Sequence, residues 1–196
     1  MKKTLTLLFL FILSFSISAQ TYHGKIGTTL GTWYGDDAED IDDKTFLNPG
    51  LLIGFGMTLG EYGDSKRTGF ELLYSQKGVK IEDGDVSARI INNYLELSAM
   101  THFLVSDQVS LGAGIYAALL NGVVQTVTID GDTESDDMDV DDYTDRPFDF
   151  GSNFSVKFHL NEQMDIDLRY GLGILGLDED VDVFNSTIQL SYSYYF

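Results

Sequence analysis

Apolar and polar residues alternate along most of this chain with a period of two, the spacing of a β-strand with two unlike faces. The clearest run is residues 164–174, where Met164, Ile166, Leu168, Tyr170, Leu172 and Ile174 alternate with Asp165, Asp167, Arg169, Gly171 and Gly173. Residues 148–160 repeat it, with Phe148, Phe150, Phe154, Val156, Phe158 and Leu160 on one face and Ser152 as the exception. At the C-terminus Ile188, Leu190, Tyr192, Tyr194 and Phe196 share a face. Runs at 22–34, 49–59, 67–80, 89–103 and 109–125 follow the same rule less cleanly, which makes eight strands in all. Each is near or above the roughly 9–11 residues that a tilted strand needs to cross a bilayer.

The connections alternate in kind. Those at 60–66, 104–108 and 161–163 are short, whereas those at 35–47, 81–88, 126–147 and 177–184 are longer on average and acidic. Short turns on one rim and loops on the other predict an all-β, eight-stranded, antiparallel, up-and-down transmembrane β-barrel over residues 20–196. Its turns then face the periplasm and its loops the outside. Pro49 and Pro147 fall where long loops re-enter strands, where a missing N–H costs little. Ahead of the barrel, Met1-Lys2-Lys3, an apolar run over 5–17 and Ser18-Ala19 predict a signal peptide at 1–19 that directs export.

An eight-stranded barrel with an apolar interior is also the plan of a soluble lipocalin-like carrier, so the polar face decides the orientation. That face is made largely of small residues, among them Gly27, Gly54, Gly56, Gly112, Gly151 and Gly171. These suit a narrow lumen better than a wetted exterior. The charges sharing the face are Lys25, Arg67, Lys77, Lys157 and Arg169 against Glu71, Glu96, Asp149, Asp165 and Asp167. Balanced charges in a tight interior are expected to pair, because an unpaired buried charge is very costly. The apolar face then meets outer-membrane lipid. Aromatic residues fall near both rims, with Tyr22, Phe103, Phe158 and Phe196 at the turn end and Trp33, Tyr34, Phe46, Phe148 and Phe184 at the loop end.

Charge and composition narrow the function. Lys and Arg number 12 against 31 Asp and Glu, a formal net charge of −19, which excludes nucleic-acid binding for want of a phosphate-neutralising stripe. The chain has 0 Cys, which removes disulfides, thiolate zinc sites and thiol nucleophiles.

The segments 70–78 (Phe-Glu-Leu-Leu-Tyr-Ser-Gln-Lys-Gly), 93–97 (Asn-Tyr-Leu-Glu-Leu), 112–116 (Gly-Ala-Gly-Ile-Tyr), 148–151 (Phe-Asp-Phe-Gly) and 169–173 (Arg-Tyr-Gly-Leu-Gly) resemble the PorT-like outer membrane β-barrel proteins of Bacteroidetes-type bacteria. So does the ending from 185 to 196. Where family members usually continue with Ile-Pro, this chain has Leu97-Ser98, which separates it from any one characterised member. The resemblance implies a membrane barrel whose terminal Phe196 is the signal recognised by the barrel assembly machinery. It also implies a link to protein secretion across the outer membrane, the association of the family's founding member.

Candidate chemistry is sparse. Most of the acids lie in the loops, and the run Asp130, Asp132, Glu134, Asp136 and Asp137 offers the hard oxygen ligands that calcium takes. It lacks the glycine and the spaced glutamate of an EF-hand, so a solvated, mobile loop is the expected state and no cofactor is required. His23, His102 and His159 share the lumen parity near the turn end, where satisfied interior histidines are expected before a zinc or nickel site. A Gly-x-Ser-x-Gly elbow is lacking and every histidine lies far from the acidic loops, so the chain is not expected to be an enzyme. The expected role is surface interaction or structure through loops 35–47 and 126–147. The alternatives are an accessory part of a secretion or envelope-assembly machine and a small diffusion channel.

Overall fold

The computed structural model describes residues 20–39, 45–84, 86–178 and 181–196. The leader expected at 1–19 and the loop acids Asp40, Asp42, Asp43, Asp85, Glu179 and Asp180 lie outside the described residues. Among the described residues nine strands follow one another: β1 (Gln20–Tyr34), β2 (Thr45–Leu59), β3 (Lys66–Asp83), β4 (Val86–Ser106), β5 (Val109–Ile129), β6 (Asp132–Met138), β7 (Phe148–Asn161), β8 (Met164–Gly173) and β9 (Phe184–Tyr195). Two single-turn helices, α1 (Asp36–Glu39) and α2 (Val140–Tyr143), sit in the loops. β1 to β5 pair in sequence order, β5 continues to β7, β8 and β9, and β9 pairs with β1. The ring is therefore closed by eight antiparallel strands, with β6 outside it.

The strands form here because their period-two pattern separates two environments. A one-residue slip would exchange the two faces, so the pattern fixes the register. Ile26 pairs with Ile53 on one side and Tyr192 on the other, and Leu97 pairs with Leu72 and Ala117. Ile26, Phe55, Leu97, Ile115 and Phe154 are exposed, while Lys25, Glu96, Asp149, Asp167 and Arg169 are buried. This inside-out distribution belongs to a barrel with a polar lumen and a lipid-facing exterior. Two of the interior glycines are required by close approach: a Cβ at Gly56 would stand 2.5 Å from the His23 ring, and one at Gly112 2.5 Å from the His102 ring.

Two expectations need correction. Residues 81–88 are not a loop, since β3 runs to Asp83 and β4 starts at Val86, with Ile81 paired to Ala88. Nor is 126–147 a solvated loop throughout. Asp130 and Gly131 both have positive φ, at 51° and 91°, and β5 pairs with β6 from Val123↔Met138 to Ile129↔Asp132. Asp-Gly with two positive φ values is the two-residue turn that matches strand twist, and it directs the chain straight back as a hairpin. The pattern of Thr126, Val127, Thr128 and Ile129 continues β5 to that turn.

β4 and β5 have 21 residues each, about twice what a membrane crossing needs. β7 joins β5 only up to Leu119↔Phe148, and β6 takes over as the neighbour from Val123 onwards. Together the ends of β3, β4 and β5 with β6 form a sheet standing beyond the ring. At its base Tyr94, Tyr116, Ala118, Leu120 and Val123 form a small core covered by Ile90, Met138, Val140 and Tyr143. α2 is thereby folded back toward the loop-end mouth. There Asn92 Nδ2 donates to the Tyr143 hydroxyl at 3.2 Å, and burial raises that hydroxyl's pKa above the ordinary tyrosine value.

Candidate functional site

Facing strands bring the lumen charges together in two groups. Toward the turn end, Glu71 of β3 receives Lys25 Nζ of β1 at 2.5 Å and Arg169 Nη2 of β8 at 2.8 Å. The same two cations reach Asp167 Oδ2 at 3.1 and 2.9 Å. Two cations thus alternate with two carboxylates across the barrel, and His23 Nε2 adds a contact to Glu71 at 3.3 Å. Arg169 is 2% exposed and Asp167 0%. At such burial, mutual pairing is what keeps the ions tolerable.

Toward the loop end, Lys77 Nζ lies 3.0 Å from both Glu96 Oε2 and Asp149 Oδ2. Its ammonium also faces the Tyr116 ring, 4.0 Å from the centroid, and the Tyr94 ring at 5.1 Å. Asp149 further accepts from the Tyr116 hydroxyl at 3.2 Å and from Asn185 Nδ2 at 3.1 Å. Lys157 completes the predicted set more loosely, 3.8 Å from Asp165 Oδ2 with a hydrogen bond to the Tyr195 hydroxyl at 3.3 Å. Arg67 departs from the pattern: its guanidinium carbon lies 5.3 Å from the Tyr195 ring centroid. Tyr94, Tyr116 and Asn185 were not singled out by the sequence, although the parity of β4, β5 and β9 turns all three inward.

The histidines take separate partners. His23 meets Glu71, His102 Nε2 lies 3.0 Å from Ser155 Oγ, and His159 contacts Ser110 Oγ at 2.7 Å and Asp165 Oδ1 at 2.6 Å. Among the described residues, no three or more His, Cys, Asp and Glu side chains are grouped so as to hold a metal. Asp130 is in the hairpin turn, whereas Asp132, Glu134, Asp136 and Asp137 lie exposed along β6. Phe196 is exposed at the turn end, held by its backbone N–H to Tyr22 O at 2.9 Å with its ring 6.1 Å from that of Phe55.

The family model of the outer membrane protein beta-barrel domain matches residues 5–196. The chain belongs to that family. Among solved structures the barrel is similar to Ail, the attachment invasion locus protein of Yersinia pestis. The TM-score is 0.51 at 16% identity, over 92% of this chain and 100% of that one. It is also similar to Neisserial surface protein A, with a TM-score of 0.51 at 11% identity over 89% of this chain and 97% of that one. At these identities the likeness is one of fold. No curated protein sequence matches the chain. With its apolar exterior and the family match, this member of the barrel-domain family is an outer membrane protein that sits in the lipid of that membrane.

Proposed function

We propose that this barrel is a closed surface-interaction or structural protein of the outer membrane, working through its loop end without catalysis there. The observation that carries the proposal is the pair of buried ion clusters bridging the lumen, Lys25–Glu71–Arg169–Asp167 and Glu96–Lys77–Asp149. Such clusters hold a barrel shut and leave its protruding sheet as the part available to partners. β6 carries Asp132, Glu134, Asp136 and Asp137 into solvent beside the Asp-Gly turn, an acidic edge suited to meeting cationic surfaces or divalent ions. In this account residues 1–19 direct export, and Phe196 is the mark read by the assembly machinery.

A second role, as an accessory of a secretion or envelope-assembly machine, is favoured by the PorT-like segments 70–78 and 169–173, which lie within the ring strands. Affinity capture from native membranes in mild detergent separates the two. The wild type is compared with a variant in which residues 130–138 are replaced by a short turn. A stoichiometric partner lost with the hairpin supports the surface role. A partner kept by both forms transfers the assignment to the machine component.

A further inference from the structure

Ser110, His159 and Asp165 stand in line at the turn end of the lumen, contributed by β5, β7 and β8. Ser110 Oγ is 2.7 Å from His159 Nε2, and His159 Nδ1 is 2.6 Å from Asp165 Oδ1. All three are at least nine-tenths buried. In the tautomer that donates Nδ1–H to the carboxylate, Nε2 is left to accept the Ser110 hydroxyl proton. That is the geometry of a serine nucleophile, its base and the base's orienting acid, which is recognised by arrangement and not by sequence order.

The other two histidines lack the full arrangement. His102 meets Ser155 with no carboxylate hydrogen-bonded to it among the described residues, and His23 meets Glu71 with no serine. Two small cavities lie against Ser110 and His159, each of about 10 Å³, the space of one water molecule. Arg67 lines both, and its buried Nε has no hydrogen-bond partner. An N–H donor free at this position can meet the oxyanion of a tetrahedral intermediate. Over the second cavity lies the β2–β3 turn, where Gly60 and Gly63 have φ of 105° and 87° and exposed Tyr62 sets its ring edge-on to His159 at 6.0 Å.

We propose that Ser110 is an activated nucleophile that takes a short acyl group from a carboxylic ester entering at the turn end when the Tyr62 turn swings aside and opens the space beside it. Ser110 Oγ bonds to the ester carbonyl carbon as its proton passes to His159 Nε2. The carbon–oxygen bond to the alcohol then breaks, and the alcohol leaves with that proton. A water molecule next adds to the acyl-serine, giving a proton to Nε2. The bond to Oγ breaks, the acid departs, and Ser110 recovers its proton. Ester and water become acid and alcohol. Asp165 is a positioning residue that holds the imidazole. The one-water space beside Ser110 suits the second step, and the acyl group finds room only with the Tyr62 turn displaced. This activity goes beyond the surface role and sits at the opposite end of the barrel, so either can fail without the other.

The test uses the folded full-length barrel in detergent with a fluorophosphonate probe, read by intact mass and by mapping of the labelled peptide. A heat-modifiability gel checks that each variant is folded. One adduct at Ser110 is expected, absent in Ser110→Ala and formed about a hundredfold more slowly in His159→Gln. Tyr62→Gly is expected to accelerate labelling, and the wild type to release p-nitrophenol from its acetate ester. Asp165→Asn is expected to slow labelling and also to displace its pH profile, which a merely structural role would leave in place. Folded wild type and folded Tyr62→Gly both failing to label would overturn the proposal, as would equal labelling of Ser110→Ala.

Discussion

Arg169 Nη2 donates to Glu71 Oε2 at 2.8 Å across the lumen, between side chains 98 positions apart in the chain. Neither strand neighbours the other in the ring, so the contact ties β8 to β3 through the barrel interior and not along the sheet. It is shared with Lys25 and Asp167, so loss of one member leaves the rest uncompensated.

Arg169→Ala is therefore expected to destabilise the barrel by about 3–5 kcal/mol, the range for a buried pair broken on one side. The readout is the temperature at which the folded, fast-migrating form is lost on a gel. Combining Arg169→Ala with Glu71→Gln should cost less than the two single changes added together. An unchanged transition temperature in Arg169→Ala would show that this guanidinium is not paired inside.

At the other cluster, Tyr116→Phe removes the hydroxyl that donates to both Asp149 oxygens at 3.2 Å. The ring over Lys77 is retained. The expected loss is about 1–3 kcal/mol, that of a buried charged acceptor deprived of a donor. Lys77→Met should cost more, because it leaves Glu96 and Asp149 facing one another with no cation between them. Equal losses for the two variants would contradict this ordering, and urea unfolding in lipid vesicles measures both.

Glycine substitutions test the tightness of the lumen. Gly56→Val places new atoms where a Cβ already falls 2.5 Å from the His23 ring, and should cost about 1–3 kcal/mol or block refolding. Gly24→Ala meets nothing within 4 Å and should be neutral in the same assay. A neutral Gly56→Val would mean that the interior is looser than described.

The alternation legible in the sequence carried the architecture well. Residues 164–174, with Arg169 and Asp167 on one side and Leu168 and Tyr170 on the other, state both the strand and its two environments. Lys25, Lys77 and Arg169 meet Glu71, Glu96, Asp149 and Asp167 on the inner parity, and Tyr116 and Asn185 join them there. What stayed hidden depends on pairing across strands. The grouping of Glu71 with Arg169, or of Ser110 with His159, follows from ring closure and stagger, which no local pattern encodes. The β6 hairpin was missed for another reason. Its β-turn signal, Asp130-Gly131 between alternating residues, stands among acids whose density is that of a solvated loop.

The hairpin gives its own prediction. Gly131 has φ of 91°, where a side chain is strained. Gly131→Val should therefore raise amide exchange over 123–138 while leaving the barrel's heat stability unchanged. Loss of barrel stability in that variant would mean that β6 is part of the ring's own energetics.

Planar-bilayer recording of the purified wild-type barrel tests the central claim most directly, because the proposal is that Lys25, Glu71, Lys77, Asp149 and Arg169 bridge the lumen and leave no continuous aqueous path. The expected trace is flat, without steady unitary conductance, over ordinary voltages and salt. Reproducible, steady single-channel steps from the folded protein would contradict the closed barrel and make it a small diffusion channel.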